Sequence, residues 1–278
     1  MSTVTSLRQL PLRRYDARAA SIAVCELGDD GDPVLFVPGY TGGKEDFVAL
    51  ADDVVAAGFR YLAMDQRGQY ESTAGDDAAD FTIASLAEDL REIVRAIGAP
   101  VHLVGHSFGG LVARAAVIAD PGLARSFTAM SSGPGILTGP RAESILALEP
   151  VLQASGAAAV YDVIEAGAAQ DPTRAPSTPE VAAFMRRRFV AANPVGLAVM
   201  GRALLEVPDT VDELRATGVP LLVLHGTVDD SWAPDVQADM AWRLGARHVV
   251  IDGAEHSPAA EKPAETAAAL IAFWRSTG

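Results

Sequence analysis

The fold is decided by one stretch of the sequence, residues 101–110, which reads VHLVGHSFGG. Its first four residues are largely apolar and predict a buried strand, and a helix is predicted from Leu111 onward. Between them lies the pattern Gly-x-Ser-x-Gly, with Ser107 flanked by Gly105 and Gly109. A serine at the tip of such a tight strand-to-helix turn is held in a strained backbone conformation, which only small neighbours permit. This context is typical of a nucleophile elbow, so Ser107 is the candidate nucleophile.

Apolar runs and helical periodicities alternate on both sides of this stretch. Further strands are predicted at residues 7–15, 21–27, 34–37, 59–64, 126–130, 219–225 and 248–251. Helices are predicted at residues 47–57, 82–97, 111–119, 234–244 and 263–274. The alternation of strand and helix predicts an α/β fold with a mostly parallel, eight-stranded sheet flanked by helices.

The alternation stops between residues 133 and 207. This stretch is rich in alanine, and prolines interrupt its helical pattern at several points. We therefore expect a helical lid, residues 133–207, inserted into a core domain that consists of residues 1–132 and 208–278.

Composition excludes several classes of protein. The 278 residues carry a formal net charge of -14, which argues against binding to nucleic acid or to an anionic membrane. The single cysteine, Cys25, excludes an internal disulfide and a cysteine-based zinc cluster. The sequence has neither a recognisable secretory signal nor an apolar run long enough to span a membrane, so we expect a cytoplasmic protein.

The candidate general base is His256, in the loop that follows the last predicted strand. A serine hydroxyl is a poor nucleophile and needs a base within hydrogen-bonding distance. Ligand sites in open parallel sheets lie at the carboxyl ends of strands, and both Ser107 and His256 follow such ends.

The other four histidines receive different interpretations. His102 lies within a strand and is expected to be a core residue, whereas His106 is expected to point away from the site because consecutive side chains diverge. His225 ends a strand and is expected to contact the site residues rather than the substrate. His248 begins the last strand, at the edge away from the site.

The carboxylate that orients the base is expected in the loop after residues 219–225. Asp229 and Asp230 are adjacent there, and both give the chain order Ser…Asp…His that is typical of this elbow. Neighbouring side chains cannot both face one histidine. From the residues alone either aspartate fits, and one of them or Ser231 is alternatively the cap of the helix that starts near Pro234.

Backbone amides that stabilise an oxyanion are expected from two places. The loop after residues 34–37 contains Gly39, Gly42 and Gly43, whose freedom lets an amide turn toward a developing charge. We predict the backbone N–H groups of Tyr40 and Phe108 as the donors.

These motifs together resemble the α/β-hydrolase superfamily of lid-bearing serine hydrolases. The matching segments are residues 38–40, 65–68, 105–110, 226–229 and 253–256. The resemblance implies the α/β-hydrolase fold, and it favours Asp229 because the family's acid usually lies three residues after the glycine. The family often has His-Gly at Pro38-Gly39, and Tyr70 stands where the family has a glycine. We expect these differences to change loop shape and to leave the chemistry unchanged.

The resemblance also suggests a reaction. Relatives that open epoxides or remove halogens use an aspartate nucleophile, and Ser107 argues against both. We expect hydrolysis of a carboxylic ester, or a related acyl bond, of a small and largely apolar substrate through an acyl-enzyme, without cofactor or metal. Cofactor-free perhydrolase or haloperoxidase-like activity, carbon–carbon bond hydrolysis and a ligand-binding receptor with little turnover are the alternatives.

Aromatic residues of the lid and of the loop that contains Asp229 and Asp230 are the candidate substrate-binding residues. Phe184, Phe189 and Trp232 could line an apolar pocket, and they could equally hold the lid together. The run of arginines at 186–188 is interpreted as an exposed helix face rather than as a site for an acidic substrate. The expected partner is a small-molecule substrate, and the sequence leaves a homodimer open.

Overall fold

A computed structural model describes residue 4 and residues 7–18, 20–170 and 177–277. These residues form an eight-stranded sheet with the order β1-β2-β4-β3-β5-β6-β7-β8. The strands are β1 (Leu12–Ala17), β2 (Ala20–Leu27), β3 (Pro33–Val37), β4 (Arg60–Met64), β5 (Val101–His106), β6 (Ala124–Met130), β7 (Leu221–Gly226) and β8 (Arg247–Ile251). Strands β1 and β2 pair antiparallel, and the other six are parallel to one another. The predicted mostly parallel, eight-stranded sheet is confirmed.

Helices cover both faces of this sheet. They are α1 (Ala51–Ala56), α2 (Ile83–Ile97), α3 (Phe108–Ala119), α4 (Pro140–Ala168), α5 (Pro179–Val190), α6 (Pro194–Glu206), α7 (Val211–Ala216), α8 (Pro234–Leu244), α9 (Pro258–Glu261) and α10 (Pro263–Trp274). The apolar side chains of α2, α3 and α8 pack on one face, and those of α1 and α10 pack on the other. Burial on both faces explains why β3 and β5 consist of buried residues throughout.

Some boundaries differ from the predicted ones. The strand predicted from residue 7 begins only at Leu12, after Pro11, which has no N–H to donate to a strand partner. The helix predicted from residue 47 begins as a 3-10 turn, Lys44–Leu50. Strand β5 extends beyond residue 104 because Gly105 and His106 continue its pairing with β6.

Helices α4, α5 and α6 follow β6 and precede β7, where the sequence predicts a helical lid. Their apolar side chains form a separate small cluster that includes Tyr161, Phe189 and Leu197. Helix α4 is broken at Gly156, whose φ of +76° is open to glycine at little cost. No single described helix is long and apolar enough to cross a membrane; α5 and α6 meet that requirement only together, as a pair bent by 89°.

A buried ion pair ties α5 to the core. Arg188 Nη1 lies 2.6 Å from Asp46 Oδ1, and both side chains are at least nine-tenths buried. The interpretation of residues 186–188 as an exposed face is therefore wrong for Arg188. The helical periodicity turns Arg188 inward with Phe184, while Arg186 stays at the surface beside Asp162.

Candidate active site

Ser107 occupies a strained turn between β5 and α3. Its φ of +53° and ψ of -121° lie in a region that residues with a side chain rarely adopt. The surrounding backbone leaves no room for a side chain at either flanking glycine. A Cβ at Gly105 would lie 2.6 Å from the carbonyl oxygen of Gly109, and a Cβ at Gly109 would lie 2.4 Å from that of Val37. The predicted elbow geometry is thus present, and it puts Ser107 at the carboxyl end of β5.

His256 is hydrogen-bonded to Asp229 across the ends of β7 and β8. The distance from His256 Nδ1 to Asp229 Oδ1 is 2.9 Å. The carboxylate also accepts the backbone N–H of Ser231 at 2.9 Å and Gln237 Nε2 at 3.0 Å. Burial acts to raise the pKa of Asp229, but these donors outweigh it and hold that pKa below its ordinary value. An ionised Asp229 keeps the proton on Nδ1 and leaves Nε2 of His256 as the basic nitrogen.

Asp230 has a different partner. Its carboxylate accepts two hydrogen bonds from Arg141, at 3.0 and 3.1 Å, near the start of α4. The capping alternative is wrong, because α8 has Ala233 at its N-cap and no side-chain cap. Of the two adjacent aspartates, Asp229 is the one that contacts the candidate base.

The free nitrogen of His256 lies beside a second hydroxyl. The distance from His256 Nε2 to Ser231 Oγ is 3.4 Å. Within the described part of the chain, Ser107 Oγ makes no hydrogen bond. Catalytic hydrogen bonds often shorten only when substrate binds, so this arrangement is compatible with transfer of the bond from Ser231 to Ser107.

His106 supports the base, contrary to the expectation that it points away from the site. Its Nε2 donates to the backbone carbonyl of His256 at 2.8 Å, and the two ring centroids are 5.0 Å apart. Burial, with a smaller effect of His256, lowers the pKa of His106 to about 4, so the ring is neutral at pH 7. The expectation failed because β5 extends to His106, whose side chain follows His102 onto the face of α1 and α10.

The loop predicted to supply an oxyanion donor lies against the elbow. A Cβ at Gly39 would be 3.2 Å from Ser107 Cβ. The carbonyls of the loop accept hydrogen bonds from Gln66 and Gln69. Sequence reasoning missed both glutamines, because the family's pattern over residues 65–72 leaves positions 66 and 69 unspecified.

Tyr70 adopts a conformation that favours glycine, with φ at +34°. Its ring lies 4.8 Å from Lys44 Nζ and 5.7 Å from the ring of Phe184. Burial raises the pKa of the neighbouring Asp65 to about 6, although Lys44 opposes this shift. Tyr70 thus packs between a charged and an aromatic side chain at the position where the family has a glycine.

The candidate substrate-binding residues lie in three different surroundings. Trp232 is buried, donates to the carbonyl of Gly135 at 3.3 Å, and lines a cavity of about 580 Å³ that Asp229 also lines. Phe189 lines a cavity of about 50 Å³ beneath α4 and α6, together with Tyr40. Phe184 packs on Tyr70 and lines neither of these two cavities.

The remaining histidines form local contacts. His102 Nδ1 lies 2.8 Å from Ser126 Oγ, and the ring packs near Trp274, as a core residue would. His225 Nε2 lies 2.8 Å from His248 Nε2, between β7 and β8.

One group of described residues has the spacing of a metal site. Ligand atoms of Asp229, Asp230 and His256 lie within 4.8 Å of one another. A cation there would have to displace the hydrogen bond between His256 and Asp229 and the pair between Asp230 and Arg141. The hydrogen bonds that these three side chains already make fit an acid–base pair better than a cation site.

Residues 34–269 match the alpha/beta hydrolase family, to which this chain therefore belongs. The chain is 38% identical over 93 residues to RutD of Variovorax paradoxus, provisionally named a carbamate hydrolase, and the match covers 33% of this chain and 35% of that one. It is 30% identical over 104 residues to BpoC of Mycobacterium tuberculosis, provisionally named a non-heme bromoperoxidase, covering 37% and 38%. The chain thus spans little more than a third of the length of these curated relatives.

The fold extends over almost the whole molecule. A solved structure from work on carboxylesterases of Nitrososphaera gargenis superposes with a TM-score of 0.80, covering 96% of this chain and 98% of that one. The sequence identity is 21%, so this likeness concerns the fold.

Proposed function

We propose that the protein is a serine hydrolase that cleaves a carboxylic ester, or a related acyl bond, of a small and largely apolar substrate. The observation that carries the proposal is the 2.9 Å hydrogen bond between His256 and Asp229 at the ends of β7 and β8, with a strained serine at the same edge of the sheet, after β5. An ionised carboxylate behind a histidine, with a serine within reach, is the arrangement that activates a hydroxyl for acyl transfer.

In the proposed reaction, Ser107 Oγ attacks the carbonyl carbon while its proton passes to His256 Nε2. The resulting oxyanion is stabilised by the backbone N–H groups of Tyr40 and Phe108. His256 then protonates the leaving alcohol, and the carbon–oxygen bond of the ester breaks to leave an acyl group on Ser107. A water then gives a proton to His256 and attacks the acyl carbon. His256 returns that proton to Ser107 Oγ as the bond between serine and acyl group breaks, and the carboxylic acid leaves.

Apolar side chains in two cavities support a small and largely apolar substrate. The larger cavity is lined by Trp232, Ile136 and Val236 but also by acidic residues, and the smaller one is lined mainly by aliphatic side chains and Phe189. The acidic residues are Glu206, Asp209, Asp229 and Asp230. We propose that residues 133–207 act as a lid over this site, with Phe184 packing the lid on the core. The charge of -14 supports a protein without nucleic-acid partners, and a cytoplasmic enzyme that needs no cofactor remains our proposal.

The test is hydrolysis of short p-nitrophenyl esters by the Ser107→Ala variant. Loss of the nucleophile should lower kcat/KM at least about 10³-fold, with a melting temperature close to that of the wild type. Full activity in this variant would refute the assignment of Ser107. A panel of esters, thioesters and lactones would then define the acyl group.

A second candidate is perhydrolase activity, favoured by the similarity to BpoC. The same serine and base would form a peracid from an acyl-enzyme and hydrogen peroxide instead of water. Peroxide-dependent bromination in acetate buffer, lost in Ser107→Ala, is the expected sign of this activity. If the protein hydrolyses esters at an easily measured rate but shows no peroxide-dependent bromination, perhydrolase activity is excluded.

A further inference from the structure

We propose that Gln69 is a positioning residue that turns the backbone amide of Tyr40 toward the oxyanion, while Gln66 holds the preceding peptide of the same loop. This inference rests on the proposed function, because it concerns hydrogen bonds to the intermediate of that reaction. Neither glutamine is proposed to touch the substrate. Both act through the loop at residues 38–40, the oxyanion loop.

The two side chains hold consecutive carbonyls of this loop. Gln66 Nε2 donates to the carbonyl of Pro38 at 2.8 Å. Gln69 Nε2 donates to the carbonyl of Gly39 at 2.8 Å and to that of Tyr40 at 3.2 Å. The glutamines are 1% and 2% exposed, so water has little access to replace these donors.

The direction of a carbonyl fixes that of the next amide. A trans peptide is planar, and its C=O and N–H point in opposite directions; the described residues contain no cis peptide. The carbonyl of Gly39 accepts the shorter bond from Gln69 and a second one, at 3.2 Å, from the backbone N–H of Gly42. By holding this carbonyl, Gln69 helps to turn the N–H of Tyr40 to the opposite side of the loop. Its bond to the carbonyl of Tyr40 turns the N–H of Thr41 in the same way.

The oxyanion loop also lies directly against the nucleophile. A Cβ at Gly39 would approach Ser107 Cβ to 3.2 Å and His106 Nδ1 to 3.4 Å. With its carbonyls bound to the glutamines, the loop has its amide groups available for a charge that develops at Ser107. An amide must be oriented before the reaction to contribute fully, because its reorientation would otherwise add to the barrier.

A hydrogen bond between the two glutamines sets the orientation of the Gln69 side chain. The backbone N–H of Gln66 donates to Gln69 Oε1 at 2.9 Å, which leaves Nε2 to face the loop. A glutamate at this position would keep the acceptor and put a second carboxylate oxygen against the two carbonyls. Gln69→Glu therefore removes the donors while nearly preserving shape, and Gln69→Leu removes all three hydrogen bonds.

The experiment compares both variants with Ser72→Ala. Ser72 is a buried residue of the same segment, but its hydroxyl bonds the backbone of Asp65 and Ala23 instead of the oxyanion loop. Activity on p-nitrophenyl acetate is normalised to active sites titrated with a fluorophosphonate. Inhibition is measured with a trifluoromethyl ketone, which forms an oxyanion on the serine, and with the matching methyl ketone.

We expect both Gln69 variants to lower kcat/KM per active site by about 10- to 100-fold with KM changed less than about threefold. Affinity for the trifluoromethyl ketone should fall in parallel, and affinity for the methyl ketone should not. In Ser72→Ala, kcat/KM should change less than about threefold. If Gln69→Leu does not fold, Gln69→Glu is judged by the same criteria.

Two results would overturn the inference: a kcat/KM for the Gln69 variants equal to that of Ser72→Ala, or equal losses of affinity for both ketones. Failure of the proposed function is seen separately, as full activity of Ser107→Ala. Should Ser107→Ala be inactive while Gln69→Leu is fully active, the proposed function stands and the inference fails.

Discussion

The ends of β5, β7 and β8 and the helical segment α4–α6 differ in the polar contacts that hold them. At the ends of β5, β7 and β8, side chains are joined by hydrogen bonds, as in the neutral His106 with the backbone of His256 and in His256 with Asp229. The helical segment is joined to the core by full charges, Arg188 to Asp46 and Arg141 to Asp230.

The adjacent aspartates make this difference visible within one loop. Asp229 is 6% exposed and faces the base, whereas Asp230 faces Arg141 with its side chain 62% exposed. Neighbouring side chains diverge after a strand, so one pair of identical residues can serve two regions. The contact with the candidate base and the contact with α4 are thus made by separate residues.

The largest expected effect separates these two aspartates. Asp229→Asn should lower kcat/KM by about 10³- to 10⁴-fold, because the amide no longer favours the tautomer with a basic Nε2. Asp230→Asn should lower it by less than about tenfold, since the loss concerns a solvent-accessible pair with Arg141. Steady-state kinetics on one ester measures both. Equal losses in the two variants would remove the distinction.

A second pair of variants compares buried with exposed arginines of α5. Arg188→Met should lower the free energy of unfolding by about 3–5 kcal/mol, because Asp46 is left buried without its charged partner. Arg186→Met should cost less than about 1 kcal/mol, since Arg186 and Asp162 are both exposed. Denaturation by urea gives both values. Equal, small effects would show that the charge of Arg188 is not needed to hold α5.

The smallest effect concerns pH and the neutral histidines of the sheet. Burial lowers the pKa of His102 to about 4 from an ordinary 6.5. Between these values the unfolded chain binds a proton that the folded protein does not, so the free energy of unfolding falls as pH falls. From pH 7 to pH 5 this histidine should account for about 1–2 kcal/mol of the decrease.

His102→Asn is the matching variant, because an amide can keep the hydrogen bond to Ser126 without titrating. Its stability should decline less than that of the wild type over the same interval, as followed by urea denaturation at each pH. Identical slopes in the two proteins would contradict a neutral, buried His102.

The strands that carry the candidate site were predictable because their signals are local. Ser107 is marked by glycines two residues away on either side, each required by a close backbone approach. His256 follows from the rule that sites lie at the carboxyl ends of parallel strands. The choice of Asp229 over Asp230 needed the family resemblance, since both aspartates follow the same strand.

Residues that act over long sequence distances were not predictable. Arg188 meets Asp46 across 142 positions, and Gln69 meets Gly39 across 30. From composition, a run of three arginines is interpreted as a solvent-exposed helix face. Only tertiary packing determines which of the three arginines is buried. His106 was misjudged because its orientation depends on where β5 ends, which is among the least certain features of a sequence.

In the proposed reaction, Ser107 carries the acyl group during turnover. The direct measurement is mass spectrometry of peptides from enzyme quenched in acid while it turns over a p-nitrophenyl ester. We expect one acyl group per chain, located on Ser107 and absent from Ser107→Ala. An acyl group on another residue during turnover at the full rate would contradict the role of Ser107. So would the absence of an acyl group from Ser107 with an ester whose acyl-enzyme forms faster than it is hydrolysed.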